Sequence, residues 1–173
     1  MEKLTLRELK STDESSFREA IESFRLSDPT FCFAFDFDDS TEFSSFLRRI
    51  KNHEKGVGLP KGWVPNSFLV GVLGDEIVGR VSVRHSLTEA LYNHGGHIGF
   101  GVVSKHRRKG VGKEMLRQGL LVAKAIKLER VLVTCDDDNM GSIKTIEALN
   151  GTLEDCRLRN GGEKTRRYWI QIN

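Results

Sequence analysis

Apolar positions along this chain change period several times, and each change marks an element. Leu4, Leu6 and Leu9 predict a short opening strand. Phe17, Ala20, Ile21 and Phe24 recur at helical spacing and predict a helix over residues 13–26. Phe31, Phe33, Phe35 and Phe37 then alternate, which is the two-residue period of a strand. The same aromatics also suit a flexible loop on a substrate-facing side, and the residues leave both readings open. Phe43, Phe46, Leu47 and Ile50 predict a second helix, and the breakers in residues 56–65 predict a loop.

From residue 67 the pattern is sharper. Residues 67–73 and 76–85 read as strands joined at Gly74-Asp75, a good hairpin turn. Residues 86–96 read as a loop ending in Gly95-Gly96. A strand over 97–103 precedes a helix from about 110 to 126, whose Val111, Met115, Val122 and Ile126 form one stripe. A strand at 130–135 is expected to lie parallel to 97–103, because a helical crossover joins the two. A helix over 139–149 follows, and strands near 152–158 and 165–172 close a hairpin across Asn160-Gly161-Gly162. The order predicts a mixed α/β sheet in one domain spanning residues 1–173.

Composition narrows the class. A chain of 173 residues suits one core, and charged residues of both signs make up 29% of it. A net charge of +3 is too small to imply nucleic acid. Cys32, Cys135 and Cys156 are too few and too scattered for a disulfide framework, which fits a reduced, cytoplasmic setting. No apolar run approaches the ~20 residues of a membrane helix, and no cleavable signal opens the chain.

The most specific chemistry lies at Arg107-Arg108-Lys109-Gly110-Val111-Gly112, between an apolar strand pattern and the start of a helix. Helix N-termini carry unpaired N–H groups and partial positive charge, and glycine lets backbone approach a phosphate closely. A phosphate-binding P-loop is excluded, because Glu114 stands where Ser or Thr is needed after Gly112-Lys113. A dinucleotide fingerprint lacks its third glycine at Met115. Five cations (Lys105, Arg107, Arg108, Lys109 and Lys113) fall within this stretch, but without the interleaved aromatics of a nucleic-acid surface.

What remains resembles motif A of the GNAT superfamily of N-acyltransferases, Gln/Arg-x-x-Gly-x-Gly/Ala after the fourth strand. The strand over 130–135, followed by Asn139, Ser142 and Glu147, is similar to that family's fifth strand and following helix. Val78 to His85, Gly95 to Gly99 and Arg167 to Ile170 resemble stretches of a group of uncharacterised bacterial predicted acetyltransferases. The resemblance covers roughly residues 67–172 well and the first 66 loosely. It implies a mostly antiparallel mixed sheet, flanked by helices, whose parallel central strands splay apart.

It further implies acetyl-CoA as co-substrate, with no metal. The turn of Arg107, Arg108, Lys109, Gly110, Val111, Gly112 and Lys113 would hold the pyrophosphate through its backbone amides. Val102 and Val103 would pair with the pantetheine arm as an added strand, beside a backbone oxyanion hole. Gly99 and Gly101 suit a close approach there, or close packing on that face. Asn139 would meet the arm, or simply cap the last helix. The family's proton-donating tyrosine is replaced by Ile146.

The resemblance implies an acetyl group moving to a primary amine by direct attack in a ternary complex. His97, near the family's usual base, and His85 are the candidate bases, each with a structural reading beside it. His85, His94 and His97 lack the carboxylate or cysteine that would complete a metal site. The acceptor is a small-molecule or peptide amine, with no nucleic acid or membrane partner, and a homodimer stays open. Asp28, Asp36, Asp38, Asp39, Glu42 and Glu89 either attract a cationic acceptor or are solvated loop residues. The alternative from another class is a non-catalytic module that binds CoA or acyl-CoA and regulates a partner.

Overall fold

In a computed structural model, described over residues 3–159 and 161–172, one seven-stranded sheet runs in the order β1-β2-β3-β4-β5-β7-β6. Its strands are β1 (Thr5–Glu8), β2 (Asn66–Leu73), β3 (Glu76–Arg84), β4 (Ile98–Val102), β5 (Arg130–Asp136), β6 (Thr152–Leu158) and β7 (Lys164–Gln171). All neighbours are antiparallel except β4 and β5. That pair is parallel because α4 (Val111–Ala125) carries the chain back between them. The hairpin between β2 and β3 turns at Gly74-Asp75, as the residues predict. The closing pair β6–β7 also forms, although Asn160 of its expected turn lies outside the described residues.

Two cores pack on the two sheet faces. Val81, Val83 and Ile98 turn toward Val111, Met115 and Leu116 of α4 and toward Ile143 and Ile146 of α5 (Met140–Glu147). On the other face lies an aromatic core built by α1 (Glu14–Ser27) and α2 (Phe43–Glu54) over Phe68 and Val70 of β2. Phe17 is its centre, with the rings of Phe33, Phe37, Phe43, Phe46 and Phe68 between 5.3 and 6.2 Å away. Aromatic pairs at this spacing add to ordinary burial.

Two expectations change here. Residues 28–42 form no strand; they are a loop, the other reading of these residues, built of turns packed on the aromatic core with Phe33 and Phe37 buried. Phe35 breaks any strand with a φ of 51°, and Phe37 N–H closes a turn on the Ala34 carbonyl. Residues 86–96, read as a loop, contain α3 (Glu89–His94), capped by Thr88, whose hydroxyl accepts from Leu91 N–H. A helix of six residues is too short to show helical periodicity, so only the threonine cap signalled it.

Candidate functional site

The seam between β4 and β5 carries one register pair, Ile98 with Val133. His97 closes it just below. Its N–H donates to the Leu132 carbonyl at 2.7 Å, and its Nδ1 accepts the Leu132 N–H at 2.9 Å. Beyond Ile98 the two strands no longer pair, and a cleft of about 790 Å³ opens, bordered by Gly99, Phe100, Thr134, Cys135 and Asn139.

The ladder with β3 decides which backbone groups face that cleft. Arg84 N–H bonds the His97 carbonyl, and Val103 N–H bonds the Val78 carbonyl. In an antiparallel pair such bonds fall on alternate residues, so Phe100 and Val102 turn their backbone groups toward β5. Val102 already gives its carbonyl to the Arg107 Nε, at 2.9 Å, and keeps its N–H. Val103 has spent its N–H on Val78, and its side chain is buried in the aromatic core, so it has no donor for an arm in the cleft.

At the upper end of β4 the chain passes through Ser104–His106 and a turn into α4. Gly110 caps the helix at a φ of 80°, with open space where a Cβ would stand. The first helical bond runs from Glu114 N–H to the Gly110 carbonyl, leaving the N–H groups of Val111, Gly112 and Lys113 without intrahelical acceptors. Arg108, Lys109 and Lys113 are exposed, and among the described residues none forms an ion pair. Lys105 is drawn away to Glu76, at 2.5 Å. Arg107 braces the turn: besides the Val102 carbonyl it reaches Ser27, and it lies 5.6 Å from the Phe24 ring centre.

The remaining expected residues scatter. Asn139 caps α5, its side chain accepting from Ser142 N–H, and it also borders the cleft. His97 is buried, and its imidazole is held down to about 4 by burial first, then by Arg84 and Arg130. His85 lies away from the cleft lining; its Nε2 is 3.0 Å from Ser67 Oγ, which donates to Glu54. Burial lowers the His85 pKa against the opposing pull of Glu54. Among the described residues, no three His, Cys, Asp or Glu side chains gather as a metal ion would require. Ile146 is fully buried.

Several cleft residues carry no catalytic or acceptor-binding reading in the sequence, where His94 figures only as a candidate metal ligand. His94 borders the cleft, with its Nδ1 buried and unpartnered. Arg80 and Arg84 rise from β3 into the same space. The acidic residues of 36–42 are largely satisfied within their own segment or by nearby arginines. Asp36 pairs with Arg49 and Asp39 with Arg25, while Asp38 and Glu42 accept from neighbouring hydroxyls. Among the described residues, no helix is long and apolar enough to cross a membrane.

No curated protein matches this chain. Among solved structures, an N-acetyltransferase from Staphylococcus aureus Mu50 superposes with a TM-score of 0.68 at 16% identity, over 99% of both chains. An acetyltransferase of the GNAT family from Streptococcus pneumoniae gives 0.67 at 15% identity, over 99% of this chain and 100% of the other. The protein yncA of Salmonella typhimurium, solved with acetyl-CoA, gives 0.66 at 15% identity, over 98% and 94%. At such identities these likenesses establish the fold. The acetyltransferase (GNAT) family itself matches residues 27–151, which span the splayed strands, the glycine turn and α5. On that match the chain belongs to the GNAT family of acetyltransferases.

Proposed function

We propose that the protein transfers the acetyl group of acetyl-CoA to a primary amine by direct attack in a ternary complex. The observation that carries this is the seam, paired once at Ile98–Val133 and then open along Phe100 and Val102. An extended arm there would complete the sheet by strand addition. The Val111, Gly112 and Lys113 amides, with the unpaired cations beside them, suit a pyrophosphate at the helix start. Bound acetyl-CoA would supply a thioester, and the Phe100 N–H, which faces the opening, would be the backbone donor for charge developing on its oxygen.

Direct attack is supported by the thiols of the cleft. Burial pushes Cys135 up to about 12, so it stays a thiol at neutral pH and is no nucleophile. Cys32 uses its thiol to donate to the Phe35 carbonyl. His94, whose ring borders the cleft while its Nδ1 is buried, is the proton acceptor we assign for the incoming ammonium, through its other ring nitrogen. His97 and His85 take structural roles, one closing the seam and the other joined to Ser67.

Calorimetry with CoA, run beside thiol release from acetyl-CoA with mixed amines, tests the reading. Binding with amine-dependent release is expected. Binding without release for any amine class would favour a non-catalytic acyl-CoA module instead.

A further inference from the structure

Arg80 is buried in the wall of the cleft, at 4% exposure, and among the described residues no carboxylate pairs with it. One of its terminal nitrogens donates to the Cys32 carbonyl, while Nε and Nη1 are buried without any partner. The rings of Phe31 and Phe35 lie 4.7 and 5.7 Å from its guanidinium carbon. Ser82, two residues along the same face of β3, buries its hydroxyl unpartnered as well. Burial and Arg84 lower the Arg80 pKa to about 10, which leaves it a cation at pH 7.

Arg84 comes from the next position on that face. Its Nη1 donates to the Gly95 and Gly96 carbonyls at 3.0 Å, neutral acceptors that leave its charge uncompensated. The two guanidinium groups border one small space over Gly99. A carbon placed on Gly99 would stand 3.7 Å from Nη1 of Arg80 and 3.7 Å from Nη1 of Arg84. Two like charges held together in a low-dielectric wall, with donors to spare, form a costly arrangement unless an anion joins them. Buried polar groups without partners are rare enough that this cluster requires a reason.

We propose that the acceptor amine carries an oxyanion, a carboxylate or phosphate, which seats over Gly99 between Arg80, Ser82 and Arg84. Planar guanidinium forks suit both oxyanions through paired hydrogen bonds. The arginines also border a second pocket of about 290 Å³ walled by Phe35, Trp63 and Leu91, which gives the rest of such a molecule an apolar lodging. The site lies on the sheet face opposite α4, apart from the turn assigned to pyrophosphate. The inference deepens the acetyltransferase reading and rests on it for the amine.

The test measures binding to the full chain without acetyl-CoA, so that it stands apart from the transfer reaction. β-Alanine is titrated against β-alaninamide, and O-phosphoethanolamine against ethanolamine, by calorimetry. The acid of at least one pair is expected to bind about 100-fold more tightly than its neutral counterpart, as a buried charge contact warrants. The tighter acid identifies the oxyanion. Arg80→Met should abolish the preference. Because that change also removes the Cys32 contact, Gly99→Ala serves as the second variant; it keeps both arginines and fills the space between them. Equal binding of acids and neutral amines, or a preference surviving in Gly99→Ala, would overturn the proposal. Failure of CoA to bind in a separate titration would overturn the acetyltransferase reading and leave the anion preference readable.

Discussion

The Nδ1 of His97 accepts the backbone N–H of Leu132 at 2.9 Å. An amide N–H is always a donor, so this contact fixes the tautomer, with any ring proton on Nε2. It also sets a pH dependence. The folded-state pKa is depressed from 6.5 to about 4, so the unfolded chain takes up a proton first as pH falls. The contribution of this residue is fully present above pH 6.5 and is lost progressively down to about pH 4. His97→Asn retains a side-chain acceptor for Leu132 and cannot titrate. Its melting temperature should therefore fall less steeply than that of the wild type across this window. Parallel slopes in thermal melts would show that the histidine contributes nothing to acid sensitivity.

The same contact bears on catalysis. With Nδ1 engaged and its pKa near 4, His97 is a poor base at neutral pH. The acid limb of the kcat/KM profile should persist in His97→Asn. The rate should fall roughly 10²–10⁴-fold in His94→Gln with CoA affinity unchanged, the usual range for loss of a general base. A limb that disappears in His97→Asn alone would return the role to His97.

Gly112 offers a test of the turn. A Cβ there would stand 3.4 Å from Val102 and 3.7 Å from Phe100, ordinary contacts that the fold can accept. The two branches of Gly112→Val would then project near amides meant for phosphate. Affinity for CoA should drop by about tenfold or more, the loss of one charge-assisted hydrogen bond, with the melting temperature little changed. Calorimetry showing equal affinity would remove pyrophosphate from this turn.

Ile146 predicts what will not happen. Fully buried among the residues under α4, it points its side chain into the core and not into the cleft. Ile146→Tyr should restore no acid catalysis and should overpack the core, at a cost of about 1–3 kcal/mol. Tyr168, whose hydroxyl donates to Glu147 at 3.2 Å, is buried as well, so Tyr168→Phe should change turnover little. Turnover that rises in Ile146→Tyr would place this position within reach of the departing thiol.

Elements whose residues state their own period were legible in the sequence. Val111, Met115 and their neighbours announced α4, and Gly74-Asp75 announced the first hairpin. The glycine turn was legible too, since helix start and cations are adjacent in the chain. The oxyanion site was not. Arg80, Ser82 and Arg84 alternate with Val81 and Val83, which reads as the solvent side of a half-buried strand. The turns of 28–42, anchored by Phe33 and Phe37 to the aromatic core, cover Arg80, and the Gly95 and Gly96 carbonyls hold Arg84, contacts that no local pattern announces. The alternating phenylalanines misled for a related reason, as their spacing serves packing around Phe17 and not a sheet register.

The single bridge at Ile98–Val133 makes this molecule, mechanically, two sheets joined by a clasp. Strands β1 to β4 form one and β5, β7 and β6 the other, and above the clasp no ladder bonds cross between them. Any extended ligand that fills the opening becomes a structural member, so its binding free energy is added to that of folding. At a hundredfold excess over Kd, such a ligand stabilises the whole by about 2.7 kcal/mol. Amide exchange should slow most where the backbone was waiting for a neighbour, at Phe100 and Val102. The open seam thus couples the life of the fold to the supply of its substrate.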